Sequence, residues 1–110
     1  MPHPTDQPAT DQTLASLIDE AIGARQMLPR RERCEELDRA LRDRVAQLLP
    51  PVEARADAAV ERTREWYRLR AIVGEARETL DAGLGHGLLS AAIQVGRLAE
   101  QCQTLAAEAS

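Results

Sequence analysis

The sequence predicts an all-α fold: a four-helix, mostly antiparallel bundle with a long third helix and a disordered N-terminal tail. Three observations predict it. Leu28-Pro29, Leu49-Pro50-Pro51 and Gly83-Leu84-Gly85-His86-Gly87 cut the chain into four segments. Within each segment apolar residues recur at three- and four-residue steps, the period of a helix with one buried stripe. Phe is absent, and Trp66 and Tyr67 are the only aromatics, whereas a β-domain of this size would use more aromatic and β-branched side chains. The 110 residues make one domain over 11–110, preceded by a tail over 1–10.

The tail holds Pro2, Pro4 and Pro8 among polar residues, a composition that does not order by itself. Helix 1 follows with Thr10 or Asp11 as its N-cap. Leu14, Leu17, Ile18, Ala21, Ile22 and Leu28 form its stripe, Gly23 weakens it, and Pro29 ends it, because a residue before proline avoids the α region. Helix 2 is expected from about Pro29 to Leu49. Cys34, Leu37, Leu41, Val45 and Leu48 share one face of it, and arginines alternate with acids on the other. Pro50-Pro51 is read as a break, with Pro51 at the first position of helix 3.

Helix 3 is then expected from Pro51 to Asp81. It would span roughly 45 Å, against roughly 30 Å for helix 2. Gly74 sits mid-pattern, as a kink or a point of close backbone approach. Gly83, Gly85 and Gly87 make the last corner. Helix 4, from about Leu88 to Ala107, is apolar on most sides, as expected of the helix that the others surround. A third helix longer than its neighbours would leave its far end thinly covered. Ile72, Val73, Leu80, Leu84 and Leu88 are therefore the expected association patch.

Composition bounds the function. Leu, Ile and Val supply 23 side chains and Ala 19, which makes a core, but a thin one that favours burying more area in a homodimer. The net charge of −4 is spread along the chain. No segment is basic enough for sequence-independent nucleic-acid binding, which needs a face that releases counterions. No run approaches the ~18 apolar residues of a membrane span, and the start Met1-Pro2-His3-Pro4 is not a signal peptide. A cytoplasmic protein with reduced thiols is expected. All fourteen basic residues are Arg, a bias of high-GC coding.

Candidate chemistry is sparse. Gly83–Gly87 lacks the preceding strand and the Gly-Lys-Ser/Thr that a phosphate-cradling loop needs, so it reads as a turn. His3, His86, Cys34 and Cys102 match no metal spacing, and no metal or cofactor is expected. Cys34 and Cys102 fall on apolar faces and read as small buried hydrophobes. Ser90 opens a helix in an acidic bundle, as a carrier protein's modified serine does, but Leu89 stands where Asp would be expected. Helical spacing would place Arg62, Trp66, Arg70 and Arg77 on one side. That face can hold an anionic small molecule or an acidic partner segment through guanidinium pairing and cation–π attraction.

Three stretches taken together carry a resemblance. They are Leu28-Pro29-Arg30-Arg31-Glu32-Arg33 leading to Leu48-Leu49-Pro50, then Glu65-Trp66-Tyr67-Arg68-Leu69, then Gly83–Gly87 running into Ser90-Ala91, Val95, Leu98-Ala99 and Cys102. In order and spacing the chain resembles a family of short, Streptomyces-type actinobacterial helical proteins labelled natural product biosynthesis protein, a domain of unknown function. The resemblance spans roughly residues 14–105. It implies an association with biosynthetic genes and transfers no catalytic residue. Asp is common in that family at the position of His86, so helix 4 of this chain departs from the pattern by lacking that N-cap.

The expected function is a non-enzymatic helical interaction or accessory protein, associated with specialised-metabolite biosynthesis, that binds a protein partner or a second copy of itself. The alternative is a small accessory enzyme acting on a peptide or carboxylate-bearing intermediate at a bundle or dimer interface.

Overall fold

α1 (Leu14–Ile22) begins where Thr13 turns extended and its hydroxyl accepts from the backbone N–H of Ser16 at 3.2 Å. The N-cap therefore lies further along than the expected Thr10 or Asp11. The computed structural model describes residues 12–109, so the expected tail and both of those caps lie outside the described residues. α1 ends at Ile22 and runs into a single 3-10 turn over Gly23–Arg25, short of the expected Pro29.

α2 (Arg31–Ala58) is the longest helix, and it contains both Pro50 and Pro51. This corrects the expectation of a break there and of a long third helix. A proline inside a helix removes one N–H and crowds the carbonyl four residues back. Here both rings are exposed, and the two carbonyls they leave without a donor belong to Ala46 and Gln47, also exposed, where solvent satisfies them. The buried stripe holds the helix together across the gap. Cys34, Leu37, Leu41, Val45, Leu49, Val52 and Ala56 are all buried, and their three- and four-residue steps keep phase through the prolines.

The chain turns instead at residues 59–63. Ala59 goes extended, Arg62 takes a left-handed backbone with φ 69°, and Thr63 caps α3 (Arg64–Asp81) by accepting from the N–H of Trp66 at 3.2 Å. α3 continues unbroken through Gly74. A side chain there would meet nothing within 4 Å, so the glycine reflects no close approach inside the molecule. Gly85 does need its freedom: its φ is +81°, and a Cβ would lie 2.9 Å from the Cβ of Ser90. α4 (Leu88–Ala109) follows.

Cross-chain contacts fix the directions. Arg33 reaches Glu20, and Arg44 reaches the carbonyl of Gln12, so α1 lies antiparallel along the first half of α2. Arg70 meets Asp57, and Arg42 donates to the carbonyls of Leu80 and Ala82, so α3 lies antiparallel along the second half. Arg31 donates to the carbonyl of Gly85 at 2.9 Å and Arg55 to Glu108, so α4 runs parallel to α2. Consecutive helices are antiparallel, as expected. α2 and α4 form the most extensive contact, α1 and α3 flank that pair, and α4 touches every other helix, the central place its apolar girth predicts.

Small residues let the central pair close. Ala91, Ala92, Val95, Ala99 and Cys102 are fully buried on α4, and the Cys102 thiol donates to the carbonyl of Leu41 with the sulfur 3.8 Å away. The larger filling comes from Leu17, Leu37, Leu41, Leu69, Leu98 and Leu105. Each is worth about 1.5–3 kcal/mol of burial. Gln94, also buried, donates from its amide to the carbonyls of Thr79 and Ala82, the C-terminal groups of α3 that no helical N–H can reach.

Candidate functional site

The α2–α3 corner carries the residues that the sequence marks as a ligand or partner face. Trp66, Arg70 and Arg77 all lie on α3. The Arg70 guanidinium stands 5.3 Å from the Trp66 ring centroid, the cation–π geometry expected, and Tyr67 packs edge-on against Trp66 with centroids 4.9 Å apart. Arg62 does not share that side. It lies in the 59–63 turn, because α3 begins only at Arg64, and its place follows the left-handed backbone of the turn.

Below the aromatic pair is a groove of about 210 Å³ between the two helices. Glu53 and Asp57 of α2 face Arg70, Gly74 and Arg77 of α3 across it, over Ala56 and Val73. Arg77 pairs with Glu53, and Arg70 approaches Asp57 at 3.4 Å. Each charge in the groove is thus answered from the opposite wall. An oriented but unspent base or nucleophile, the usual mark of a catalytic cleft, is not what these walls offer.

At the tip of the corner the acids are also occupied. Glu108, reaching back from the end of α4, accepts from Arg55 and Arg68, and Glu65 accepts from the same two arginines. These bonds hold both carboxyls below the usual carboxylate range, through Arg68 first in each case. Arg62, Arg64 and Glu61 are exposed, and among the described residues their side chains make no ion pair or hydrogen bond.

The expected association patch is not a surface. Val73 is buried, Ile72, Leu80 and Leu84 pack against the core, and Leu88 is half-buried. The reason is the corrected helix boundary: α3 is too short to overhang its neighbours, and the start of α4 covers its C-terminal half. The exposed apolar residues lie elsewhere. Met27 is 83% exposed, Leu89 55% and Leu28 45%, with Ile22 and Ile93 near them in exposure. These five sit at the end of the bundle where the α1–α2 connection meets the start of α4; Val60 and Tyr67, also exposed, lie at the α2–α3 corner. Arg31 ties the two segments there through Gly85 and His86, and the 3-10 turn packs on α4. Leu89 and Ile93 are one turn apart on α4, opposite its buried face, and that spacing was the signal available for this end.

The remaining candidates stay apart. His86 is exposed and contributes its backbone carbonyl to Arg31. Ser90 is exposed in the first turn of α4, against Gly85. Both cysteines are buried and unpaired with each other. Burial pushes the Cys34 thiol up and the Cys102 thiol up to about 11. Among the described residues no group of three or more His, Cys, Asp or Glu is placed to hold a metal ion, and no helix is long and apolar enough to cross a membrane.

No curated protein and no solved structure matches the chain. Residues 12–110, which include all four helices and both ends of the bundle, match one protein family throughout. The chain belongs to that family, the family of unknown function DUF6415.

Proposed function

We propose that this protein is a non-enzymatic helical accessory protein that works by binding other protein chains, and that it associates with a second copy of itself through the apolar end of the bundle. One observation carries the reading: Ile22, Met27, Leu28, Leu89 and Ile93, five of the seven exposed large apolar side chains among the described residues, are left in solvent at one end of the bundle. A bundle short of large side chains gains more from covering these than a larger domain would. The groove between α2 and α3 favours the same reading over an accessory enzyme, because its arginines and carboxylates already neutralise one another. The resemblance to short actinobacterial proteins labelled for natural-product biosynthesis supports a setting beside a specialised-metabolite pathway.

The test is the oligomeric state. Light scattering coupled to size exclusion, over a dilution series, should give a dimer for the wild-type chain and a monomer for Met27→Asp/Leu89→Asp. Both positions are exposed, so the variant should keep its helical circular dichroism. A wild-type monomer at every concentration, or a dimer that survives both charges, would remove this end as the contact.

A further inference from the structure

We infer that the α2–α3 corner is a binding surface for an acidic segment of a partner protein. This rests on reading the chain as an interaction protein, but not on its self-association, since the corner lies at the opposite end of the bundle from the exposed apolar residues.

Three features of the corner point to this occupant. The first is where the aromatics are. Trp66 is only half-buried and Tyr67 is 58% exposed, and neither joins the core cluster. Both rings stand at the corner, in the first turn of α3. Trp, Tyr and Arg together are the residues that dominate contact energy at protein interfaces. Val60, 73% exposed in the same turn, adds an apolar contact.

The second feature is the free positive charge. Asp57 is taken by Arg70, and Glu65 and Glu108 by Arg55 and Arg68, which among the described residues leaves Arg62 and Arg64 against Glu61. On a chain of net charge −4 this tip is complementary to carboxylates.

The third is the backbone of Arg62. Its φ of 69° lies in the region that favours glycine, yet the chain carries there a long cationic side chain that engages nothing among the described residues. The turn thus presents a guanidinium to solvent four residues ahead of Trp66. An extended acidic segment would place carboxylates on Arg62 and Arg64 in bidentate geometry and an apolar side chain against Tyr67 and Val60. A nucleic-acid backbone fits less well, because a run of phosphates is held by many unpaired cations and this tip offers two.

Trp66 is the only tryptophan, so its fluorescence reads this corner alone. The full chain would be titrated with a capped glutamate-rich peptide carrying a central leucine, with a lysine-rich peptide and an oligothymidylate in parallel. The glutamate peptide should saturate the Trp66 signal, more weakly as salt rises. Arg62→Gln/Arg64→Gln should weaken it roughly tenfold, the loss of two exposed charge pairs. Arg62→Gly, which relaxes the turn, should also weaken it although it steadies the fold. No saturable change, equal response to the lysine peptide, unchanged binding by the double variant, or tighter binding of the oligothymidylate would each overturn the inference. The dimer measurement neither rescues nor sinks it.

Discussion

Replacing Pro50 and Pro51 together by Ala should make this protein more stable. Two prolines sit in the interior of α2, where each costs a helix about 3 kcal/mol relative to Ala in an isolated peptide. Less than that sum should be recovered. The carbonyls of Ala46 and Gln47 lie at exposed residues and are solvated, so each regained N–H···O bond adds only about 0.5–1.5 kcal/mol net. The prolines also stiffen the unfolded chain, and removing that restraint takes back about 0.4–1 kcal/mol per residue. The rings are exposed, so no core contact goes with them. A net gain of roughly 1–3 kcal/mol remains when the lost ring–carbonyl crowding is included. For a domain of this size that is a rise in Tm of at least about 5 °C. Thermal and urea unfolding followed by circular dichroism at fixed protein concentration would measure it. The refuting result is an unchanged or lowered Tm. It would mean that Pro51 opens a separate helix, where its fixed φ and missing N–H are an advantage and Ala a loss.

Two further predictions test local claims. Gly74→Ala should raise stability by about 1 kcal/mol, since a methyl there meets nothing within 4 Å and gains helix propensity, whereas Gly85→Ala should lower it by at least ~1 kcal/mol, from a positive φ and a 2.9 Å approach to Ser90; paired urea titrations would show both signs, and two shifts of the same sign would contradict the geometry. Cys102 holds its proton to about pH 11 in the folded chain and releases it near pH ~8.5 when unfolded, so its contribution is complete below the lower value and is lost as pH rises through the upper one; native protein should resist iodoacetamide at Cys102 at pH 8 and react fully in denaturant, and alkylation at equal rates would show the thiol is not buried.

The stripes were legible in the sequence, as were the breaks at Pro29 and at Gly83–Gly87, but the break between α2 and α3 was not. Leu37, Leu41 and Val45 on α2, and Val95, Leu98 and Cys102 on α4, are buried as their spacing predicts, because a stripe reports a whole face and tolerates errors at either end. Proline is judged by its own turn alone, and in α2 tertiary packing of Leu49 and Val52 on either side outweighs it. The continuity of that stripe across Pro50-Pro51 was the available warning. Thr63, inside the expected Pro51–Asp81 helix, is instead the cap of α3, and that boundary takes Arg62 off the face shared by Trp66, Arg70 and Arg77. The same error made the third helix too long and created an association patch out of residues that in fact line the core. Leu28, expected in the stripe of helix 1, is exposed together with Met27 because α1 ends at Ile22 and tightens into a 3-10 turn at Gly23.

The corner and the apolar end answer to one constraint. A core whose central helices meet through Ala, Val and Cys side chains has no room for an indole between them. The larger fillers are leucines spread over all four helices. Trp66 and Tyr67 therefore had to lie outside it, but nothing about packing requires them to stand together at the start of α3, just after the left-handed turn residue Arg62 and beside Arg64, two arginines with no ion pair among the described residues. Helix packing accounts for their exclusion and not for their grouping. The grouping is what a contact surface requires, since aromatic and guanidinium groups act on a partner only when they meet it at one place. The apolar end shows the converse: its side chains are of the kind the core does use, and they are exposed because α1 stops at Ile22 and the connection to α2 carries Met27 and Leu28 past the last buried layer. One end is polar and selective, the other apolar and suited to self-association, and the closed α2–α4 pair holds them apart.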